Sequence, residues 1–234
     1  MKTVFLDIDT QMDFLYPAGA LYVPGAEKLV GVLGKLTQHA AANRIPLVST
    51  TDAHSEDDPE FKIWPPHCVA GTAGQQKSGV TLLPRRYVLT GALDALDRDA
   101  ALTSQQIVVE KHHVDPFNNP NLPRLLDLLE AERYVVYGVV TEVCVANAVR
   151  GLLGIGSGSL QATKGDEDAR LPAPNRDREG AGIFNGAKHA RPVQVEIVED
   201  AVKEFSEPAG RDALAGLVSA GAVLTSTRAI LEKL

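Results

Sequence analysis

The chain has 234 residues, of which 23 are Lys or Arg and 30 are Asp or Glu, so its formal charge is −7 at neutral pH. This acidic balance argues against nucleic acids and anionic membranes as partners, because both recruit clustered Lys and Arg. No apolar run approaches the roughly 18 residues of a membrane span, and two cysteines are too few for a disulfide scaffold. We therefore expect a cytoplasmic protein that acts on a small molecule.

Short apolar segments alternate with amphipathic segments along the chain. The predicted strands are residues 3–7, 45–50, 106–110, 134–140, 193–198 and 222–225. The predicted helices are residues 27–43, 123–131, 142–153 and 208–219. Because parallel strands need crossover connections, this alternation predicts an α/β fold with helices on both faces of a mostly parallel central sheet.

Two segments do not follow this alternation. Residues 53–85 are rich in Pro, Gly, His and Asp and are too long for a passive connection, so we expect a functional loop. Residues 154–191 combine Gly, Pro and mixed charges with little hydrophobic pattern, which predicts a flexible insertion within a single domain spanning 1–234. The insertion joins a helix to the next strand and should emerge at the amino edge of the sheet, either as a tolerated insertion or as a contact surface.

Polar residues follow several of the predicted strands, where parallel sheets place their chemistry. Asp9, Asp52, Lys111 and residues 141–144 all lie at such strand ends. Cys144 falls in the first turn of a predicted helix, where aligned peptide dipoles favour a thiolate. An acid, an amine and a thiol could converge there as a nucleophile with its base and charge partner. The alternative is a buried cysteine, a turn aspartate and a surface lysine.

The residues Asp52-Ala53-His54 predict a mononuclear metal site. Alternate residues of an extended chain point the same way, and the loop that follows can fold His67 back towards them. Oxygen and imidazole ligands without thiolate suit Zn²⁺, Mn²⁺ or Fe²⁺, and the residue types do not choose among these metals. On spacing alone, a surface histidine beside a capping aspartate explains the pattern equally well.

Five motifs occur in a fixed order along the chain. They are DTQMDF at 9–14, DAH at 52–54, WPPHCVAGT at 64–72, Lys111 after VVE, and GVVTEVCV at 138–145. In order and spacing they resemble the nicotinamidase branch of the isochorismatase-like cysteine hydrolases, over nearly the whole chain outside 154–191. The D-x-Q-x-D-F start is common to that superfamily, whereas D-x-H followed by W-P-x-H-C-x-x-G-T is much more specific to the nicotinamidases.

The resemblance implies the three-layer α/β/α hydrolase fold and a set of site residues. The implied catalytic triad is Asp9, Lys111 and Cys144. The implied ligands of one divalent metal, with Zn²⁺ expected before Mn²⁺ or Fe²⁺, are Asp52, His54 and His67. The resemblance also implies that Phe14 and Trp64 wall a pocket for a pyridine ring, that the Val139-Val140 peptide is cis, and that the amides of Val140 and Cys144 form an oxyanion hole.

The loop after the D-x-H pair departs from the family pattern. Many members have a further histidine ligand there, but residues 55–61 of this chain read SEDDPEF. Glu60 is our candidate for the fourth ligand because it precedes Phe61 as the usual histidine precedes an aromatic residue, and Asp57 and Asp58 are its rivals. Outside the matched ligands, we expect Cys68 to be structural and His112 and His113 to lie at the surface or the pocket rim.

The activity implied by the resemblance is hydrolysis of nicotinamide to nicotinate and ammonia through a cysteine thioester, in pyridine nucleotide salvage. A pocket with aromatic walls would also accept pyrazinamide-like amides. One alternative is a metal-independent cysteine hydrolase of the same fold that acts on a carbamoyl compound or another small amide. Another is a non-catalytic metal-binding interaction protein, and a homo-oligomer is left open.

Overall fold

The computed structural model describes residues 1–93, 95–155 and 193–233. Its strands are β1 (Thr3–Ile8), β2 (Leu47–Asp52), β3 (Arg86–Leu89), β4 (Gln106–Lys111), β5 (Arg133–Val139), β6 (Gln194–Lys203) and β7 (Val223–Thr225). They form one sheet in the order β3-β4-β2-β1-β5-β6-β7, and every neighbouring pair is parallel. The predicted parallel sheet is therefore confirmed.

Helices cover both faces of this sheet. They are α1 (Met12–Leu15), α2 (Val30–Ala42), α3 (Arg98–Thr103), α4 (Leu122–Leu129), α5 (Ala146–Leu152), α6 (Glu207–Ser219) and α7 (Thr227–Lys233). One apolar core contains residues of α4, α5 and α6, and the other contains residues of α2 and α7. The three-layer α/β/α architecture is thus confirmed. Within the described ranges, no helix combines the length and the apolarity that crossing a membrane requires.

The side chains of the central strand β1 alternate between the two cores. Val4, Leu6 and Ile8 belong to the core that α4 and α5 cover, whereas Phe5 belongs to the core that α2 covers. All six residues of β1 are buried. A strand buried on both faces reads as an almost continuous apolar run, which is why the sequence identifies the inner strands of this sheet so readily.

The observed elements differ from the predicted ones at several places. Strand β3 was not predicted, because it has only four residues and lies exposed at the sheet edge. Helices α1, α3 and α7 were also not predicted, and each has seven residues or fewer. The predicted helix 142–153 begins as a π-helical turn over Thr141–Val145 before α5. The predicted insertion 154–191, apart from its first two residues, lies outside the described residues.

The topology brings four of the predicted site residues to one edge. Strands β4, β2, β1 and β5 are successive neighbours, and their carboxyl ends lead into Lys111, Asp52, Asp9 and the turn that contains Cys144. These residues are far apart in sequence, so only the parallel arrangement of the strands assembles them.

We expect Gly138→Ala to lower the free energy of unfolding by more than about 2 kcal/mol. Gly138 has φ +118°, and an added Cβ would lie 2.1 Å from the carbonyl oxygen of Ile8 on the neighbouring strand. Denaturant unfolding followed by circular dichroism measures the change. The control is Gly216→Ala within α6, where the added Cβ meets nothing within 4 Å, and a gain of about 0.5–1 kcal/mol is expected. Equal stabilities of the two variants would contradict this prediction.

Candidate active site

The structure brings Asp9, Lys111 and Cys144 together at the carboxyl edge of the sheet. The ammonium nitrogen Nζ of Lys111 lies 2.9 Å from Oδ2 of Asp9 and 3.8 Å from Sγ of Cys144. All three side chains are buried, with relative exposures of 5% or less. An acid, an amine and a thiol in this arrangement can activate a cysteine nucleophile.

Thr50, a residue of β2 that the sequence analysis did not single out, holds Asp9 in position. Its hydroxyl donates a 2.6 Å hydrogen bond to Oδ1 of Asp9 and accepts one of 3.2 Å from the Asp9 amide. Asp9 itself has φ +48°, in the left-handed region that ends β1 with a sharp turn. Oδ1 is thus engaged by Thr50, and Oδ2 is the oxygen that faces Lys111.

The pKa values of the lysine and the cysteine are both raised, but for different reasons. Burial alone would lower the pKa of Lys111, but the carboxylates of Asp52 and Asp9 outweigh it and raise the pKa well above its usual value. Burial raises the pKa of the Cys144 thiol well above its usual range, against the opposing effect of Lys111. Burial therefore opposes the favourable dipole at the helix start, and the thiol needs a proton acceptor.

Asp52, His54 and His67 form a compact group of metal-ligating side chains. One ligand atom from each lies within 4.8 Å of the others, and all three residues are buried. Nδ1 of His54 donates to Oδ2 of Asp58 at 3.0 Å, and Nδ1 of His67 donates to the carbonyl oxygen of Pro65 at 2.8 Å. With these protons on Nδ1, both Nε2 atoms carry lone pairs, and they lie 3.8 and 3.9 Å from the Asp52 carboxylate.

This arrangement fits a divalent cation. Nε2 of His54 is buried and has no hydrogen-bond partner among the described residues, so its lone pair is left without a donor. Burial lowers the pKa of His67 to about 4, which keeps the imidazole neutral as ligation requires. Two neutral imidazoles and a carboxylate are a ligand set that Zn²⁺ accepts. The described residues hold this one group of three, and it is the set predicted from the sequence.

Asp52 is the point where the metal-ligating group meets the catalytic cluster. Oδ1 of Asp52 lies 2.5 Å from Nζ of Lys111, so one ammonium group contacts both clusters. The side chain of Gln11 donates to the Asp52 carbonyl at 2.9 Å and accepts from the Asp52 amide at 2.7 Å, and it also donates to the Gln75 carbonyl. Neither the bridging by Lys111 nor the clamp by Gln11 was predicted, although both residues lie in the quoted motifs.

The candidates for a fourth ligand take different positions. Asp58 binds Nδ1 of His54 and therefore orients that ligand from behind. Asp57 is exposed. Glu60 is not a member of the compact group, but burial and the nearby Asp52 carboxylate raise the pKa of Glu60 to about 7. Glu60 as a ligand stays a prediction, whereas Asp58 has a role that the sequence analysis did not assign to it.

Aromatic residues lie near the metal-ligating group. The ring of Phe14 lies 5.4 Å from the ring of His67 between centroids. Trp64 stacks on Phe205 with centroids 5.6 Å apart and an angle of 24° between the ring planes. Phe205 was not predicted from the sequence, because it follows β6 and belongs to none of the motifs. The two predicted pocket residues thus lie beside the metal-ligating loop, and their contact with a substrate stays a prediction.

The turn before the nucleophile has the predicted backbone feature. The Val139-Val140 peptide bond is cis. The carbonyl oxygen of Val140 accepts hydrogen bonds from the amides of Val143 and Val145, which fixes the turn that carries Cys144. The amides of Val140 and Cys144 as an oxyanion hole stay a prediction.

The remaining residues named in the sequence analysis belong neither to the metal-ligating group nor to the cluster of Asp9, Lys111 and Cys144. The amide of Cys68 donates to Oδ2 of Asp13 at 2.7 Å, and burial raises the pKa of the Cys68 thiol far above its usual value. An inert, buried thiol of this kind agrees with a structural residue. His112 and His113 are both exposed and are not part of the metal-ligating group.

Comparisons with known proteins agree with this fold. The sequence profile described as the isochorismatase domain matches residues 3–158. A nicotinamidase from Saccharomyces cerevisiae is 25% identical over 173 residues, which cover 62% of this chain and 78% of the relative. A nicotinamidase structure from Bacillus subtilis superposes with a TM-score of 0.68 at 21% identity, covering 97% of this chain and 100% of that one.

Two further solved structures share the fold. The pyrazinamidase of Pyrococcus horikoshii in complex with zinc has a TM-score of 0.67 at 21% identity, covering 97% of this chain and 99% of that one. An N-carbamoylsarcosine amidase from Thermoplasma acidophilum has a TM-score of 0.65 at 21% identity and covers 97% of both chains. The same fold thus carries more than one amide-cleaving activity.

We expect Asp58→Ala to weaken zinc binding about 10–100-fold, because a ligating histidine loses the acceptor that orients it. Asp58 also accepts from the amide of Glu60 at 2.8 Å and so caps the turn at Pro59–Lys62. Competition with a chromophoric chelator measures the affinity. The matched control is the neighbouring Asp57→Ala, because the Asp57 carboxylate accepts only from Ser55 among the described contacts. Equal affinity in both variants would contradict the role of Asp58.

Proposed function

Because the chain belongs to the isochorismatase domain family, we propose that it is a metal-dependent cysteine amidohydrolase that converts nicotinamide and water to nicotinate and ammonia. The observation that carries the proposal is the buried contact of Lys111 with Asp9, Asp52 and Cys144, which joins a cysteine nucleophile to a metal-ligating group. The nicotinamidase relative from yeast and the zinc-bound pyrazinamidase of the same fold support the choice of substrate and metal.

The aromatic walls and the metal-ligating group orient the substrate in this proposal. A divalent ion held by Asp52, His54 and His67 would supply a Lewis acid for the pyridine nitrogen. Phe14 and Trp64 border the ring, so that its carboxamide faces Cys144. Fixing the ring in this way makes attack on the amide carbon effectively intramolecular.

Asp9 and Lys111 then activate the nucleophile. The Cys144 thiol transfers its proton to Oδ2 of Asp9, and the Lys111 ammonium stabilises the thiolate that forms. The sulfur attacks the amide carbon, and the carbonyl oxygen becomes an oxyanion that the amides of Val140 and Cys144 bind. Loss of one such donor typically costs about 2.7–4 kcal/mol.

Asp9 completes both halves of the reaction. It returns its proton to the amide nitrogen, the carbon–nitrogen bond breaks, and ammonia leaves a thioester on Cys144. Asp9 next accepts a proton from a water molecule that attacks the thioester carbon. The carbon–sulfur bond breaks, the thiolate recovers a proton, and nicotinate is released.

The alternatives differ from this proposal in what they require. A metal-independent hydrolase of carbamoyl compounds would need no ligand set, yet here His54 and His67 present buried lone pairs towards Asp52. A non-catalytic protein would have no use for Cys144 beside Lys111 in a buried cluster, where such groups are costly. The cytoplasmic location and a homo-oligomer stay predictions from the sequence.

Purified protein should release ammonia from nicotinamide, and removal of metal by a chelator should abolish the release. Re-addition of Zn²⁺, Mn²⁺ or Fe²⁺, one metal at a time, should restore it and identify the metal that supports turnover. An enzyme-coupled ammonia assay is the measurement. Release that survives complete chelation would favour the metal-independent alternative, and no release with any metal would contradict the proposed function.

Cys144→Ala should reduce turnover to background, because no other thiol lies beside Lys111, and should leave the bound metal in place. Ammonia release and metal content, measured on the same preparation, test both statements. The matched control is Cys68→Ala, which removes the other cysteine of the chain and should retain most of kcat. Turnover of Cys144→Ala close to that of the unmodified protein would exclude the thioester route.

A further inference from the structure

The stacked pair of Trp64 and Phe205 joins two parts of the chain that border the site. Trp64 lies three residues before the metal-ligating His67, and Phe205 lies between β6 and α6. The ring planes differ by 24° with centroids 5.6 Å apart, which is an offset-stacked geometry. Phe205 also packs against the apolar core that contains Phe14 and Val140. The pair therefore connects the loop of His67 to the core that contains Phe14 and Val140.

Glu142 connects the nucleophile turn to this pair. It lies two residues before Cys144, and its relative exposure is 8%. Oε1 of Glu142 accepts hydrogen bonds from the amides of Phe205 and Ser206 at 3.0 and 3.1 Å. In the described part of the chain, the Ser206 side chain does not cap α6. The Glu142 carboxylate binds the two amides directly before the first turn of α6, and its negative charge is favourable near a helix N-terminus.

We propose that Phe205 is a positioning residue, which Glu142 holds so that its ring fixes the indole of Trp64 as a flat wall of the pocket. The consequence is selectivity for planar aromatic amides over aliphatic amides. Without this stack, the indole of Trp64 would lose rotational freedom when the substrate ring binds. The stack with Phe205 restricts the indole before binding, so this entropic cost no longer weakens substrate binding. The selectivity rests on the proposed function, whereas the positioning of Trp64 does not.

The geometry favours this over a purely structural cap. A carboxylate that only capped α6 would affect the stability of that helix and nothing at the pocket. Here one of the two amides that Glu142 binds belongs to Phe205, whose ring meets Trp64, and Glu142 itself belongs to the turn of Cys144. The contact therefore runs from the nucleophile turn through Glu142 and Phe205 to the loop that supplies His67.

Trp64 is the one tryptophan in the chain, so its fluorescence reports on the wall directly. In Phe205→Leu we expect stronger quenching by acrylamide and lower anisotropy than in the unmodified protein, because one face of the indole is uncovered. Phe205→Tyr keeps an aromatic face and should behave as the unmodified protein does. The control is Arg211→Ala, an exposed position on α6. Unchanged quenching and anisotropy in Phe205→Leu would overturn the proposal.

Steady-state kinetics of the metal-loaded enzyme test the selectivity. In Phe205→Leu we expect KM for nicotinamide to rise about threefold to tenfold, the range that corresponds to loss of one aromatic stack, with kcat nearly unchanged. Turnover of an aliphatic amide such as propionamide should not fall, so the preference for the aromatic amide narrows. Phe205→Tyr should restore KM. An unchanged KM, or an equal loss of activity on both amides, would overturn the assignment of selectivity.

A double-mutant cycle tests the role of Glu142. Glu142→Ala should reproduce the fluorescence change of Phe205→Leu, and the two substitutions together should add little, because both release the same stack. Glu142→Gln keeps Oε1 as an acceptor and should resemble the unmodified protein. It is the control for a fold that is merely destabilised in Glu142→Ala. Additive effects of Glu142→Ala and Phe205→Leu would overturn the link. Absence of nicotinamide turnover in the unmodified protein would refute the proposed function, while the fluorescence results would still decide the positioning of Trp64.

Discussion

A single buried ammonium group, that of Lys111, lies between the carboxylates of Asp9 and Asp52 and 3.8 Å from the thiol of Cys144. Burying such a charge is costly unless it is paired, and breaking a buried pair typically costs about 3–5 kcal/mol. Burial raises the pKa of the Asp52 carboxyl to about 6, and the Lys111 ammonium opposes that rise. The catalytic cluster and the metal-ligating group are consequently one electrostatic unit. Asp9 and Asp52 share the Lys111 ammonium, and Asp52 is also available to a metal ion.

The D-x-Q-x-D start of the chain supports both halves of this unit. Asp9 faces Lys111, Gln11 clamps the backbone of Asp52, and Asp13 binds the amide of Cys68, directly after His67. Three side chains at alternate positions thus supply the proposed base, hold the backbone of the metal ligand Asp52, and hold the loop that carries the metal ligand His67. Asp9, Gln11 and Asp13 all lie in the short segment from the end of β1 into α1. A displacement of that segment would therefore disturb proton transfer and metal ligation at the same time.

The sequence predicted what depends on residue type and strand order, and missed what depends on contacts between distant loops. The inner strands are apolar throughout, so their ends, and with them Asp9 and Asp52, could be located in advance. Strand β3 is short and exposed and has no such pattern. Phe205 contacts Glu142 and Trp64, neither of which is near it in sequence. The effect of burial on the Cys144 thiol could not be predicted for a related reason, since the depth of burial that raises its pKa is a property of the assembled sheet.

The pairing of β2 with β4 places Asp52 directly opposite Lys111. Side chains alternate along a strand, so a slip of one residue would turn Lys111 to the other face of the sheet and bury its ammonium among apolar groups. A shifted register is therefore destabilised by the same charged groups that form the site. In the observed register, the Lys111 ammonium is paired with Asp9 and Asp52. The charged groups of the candidate active site thus also disfavour a shifted register between β2 and β4.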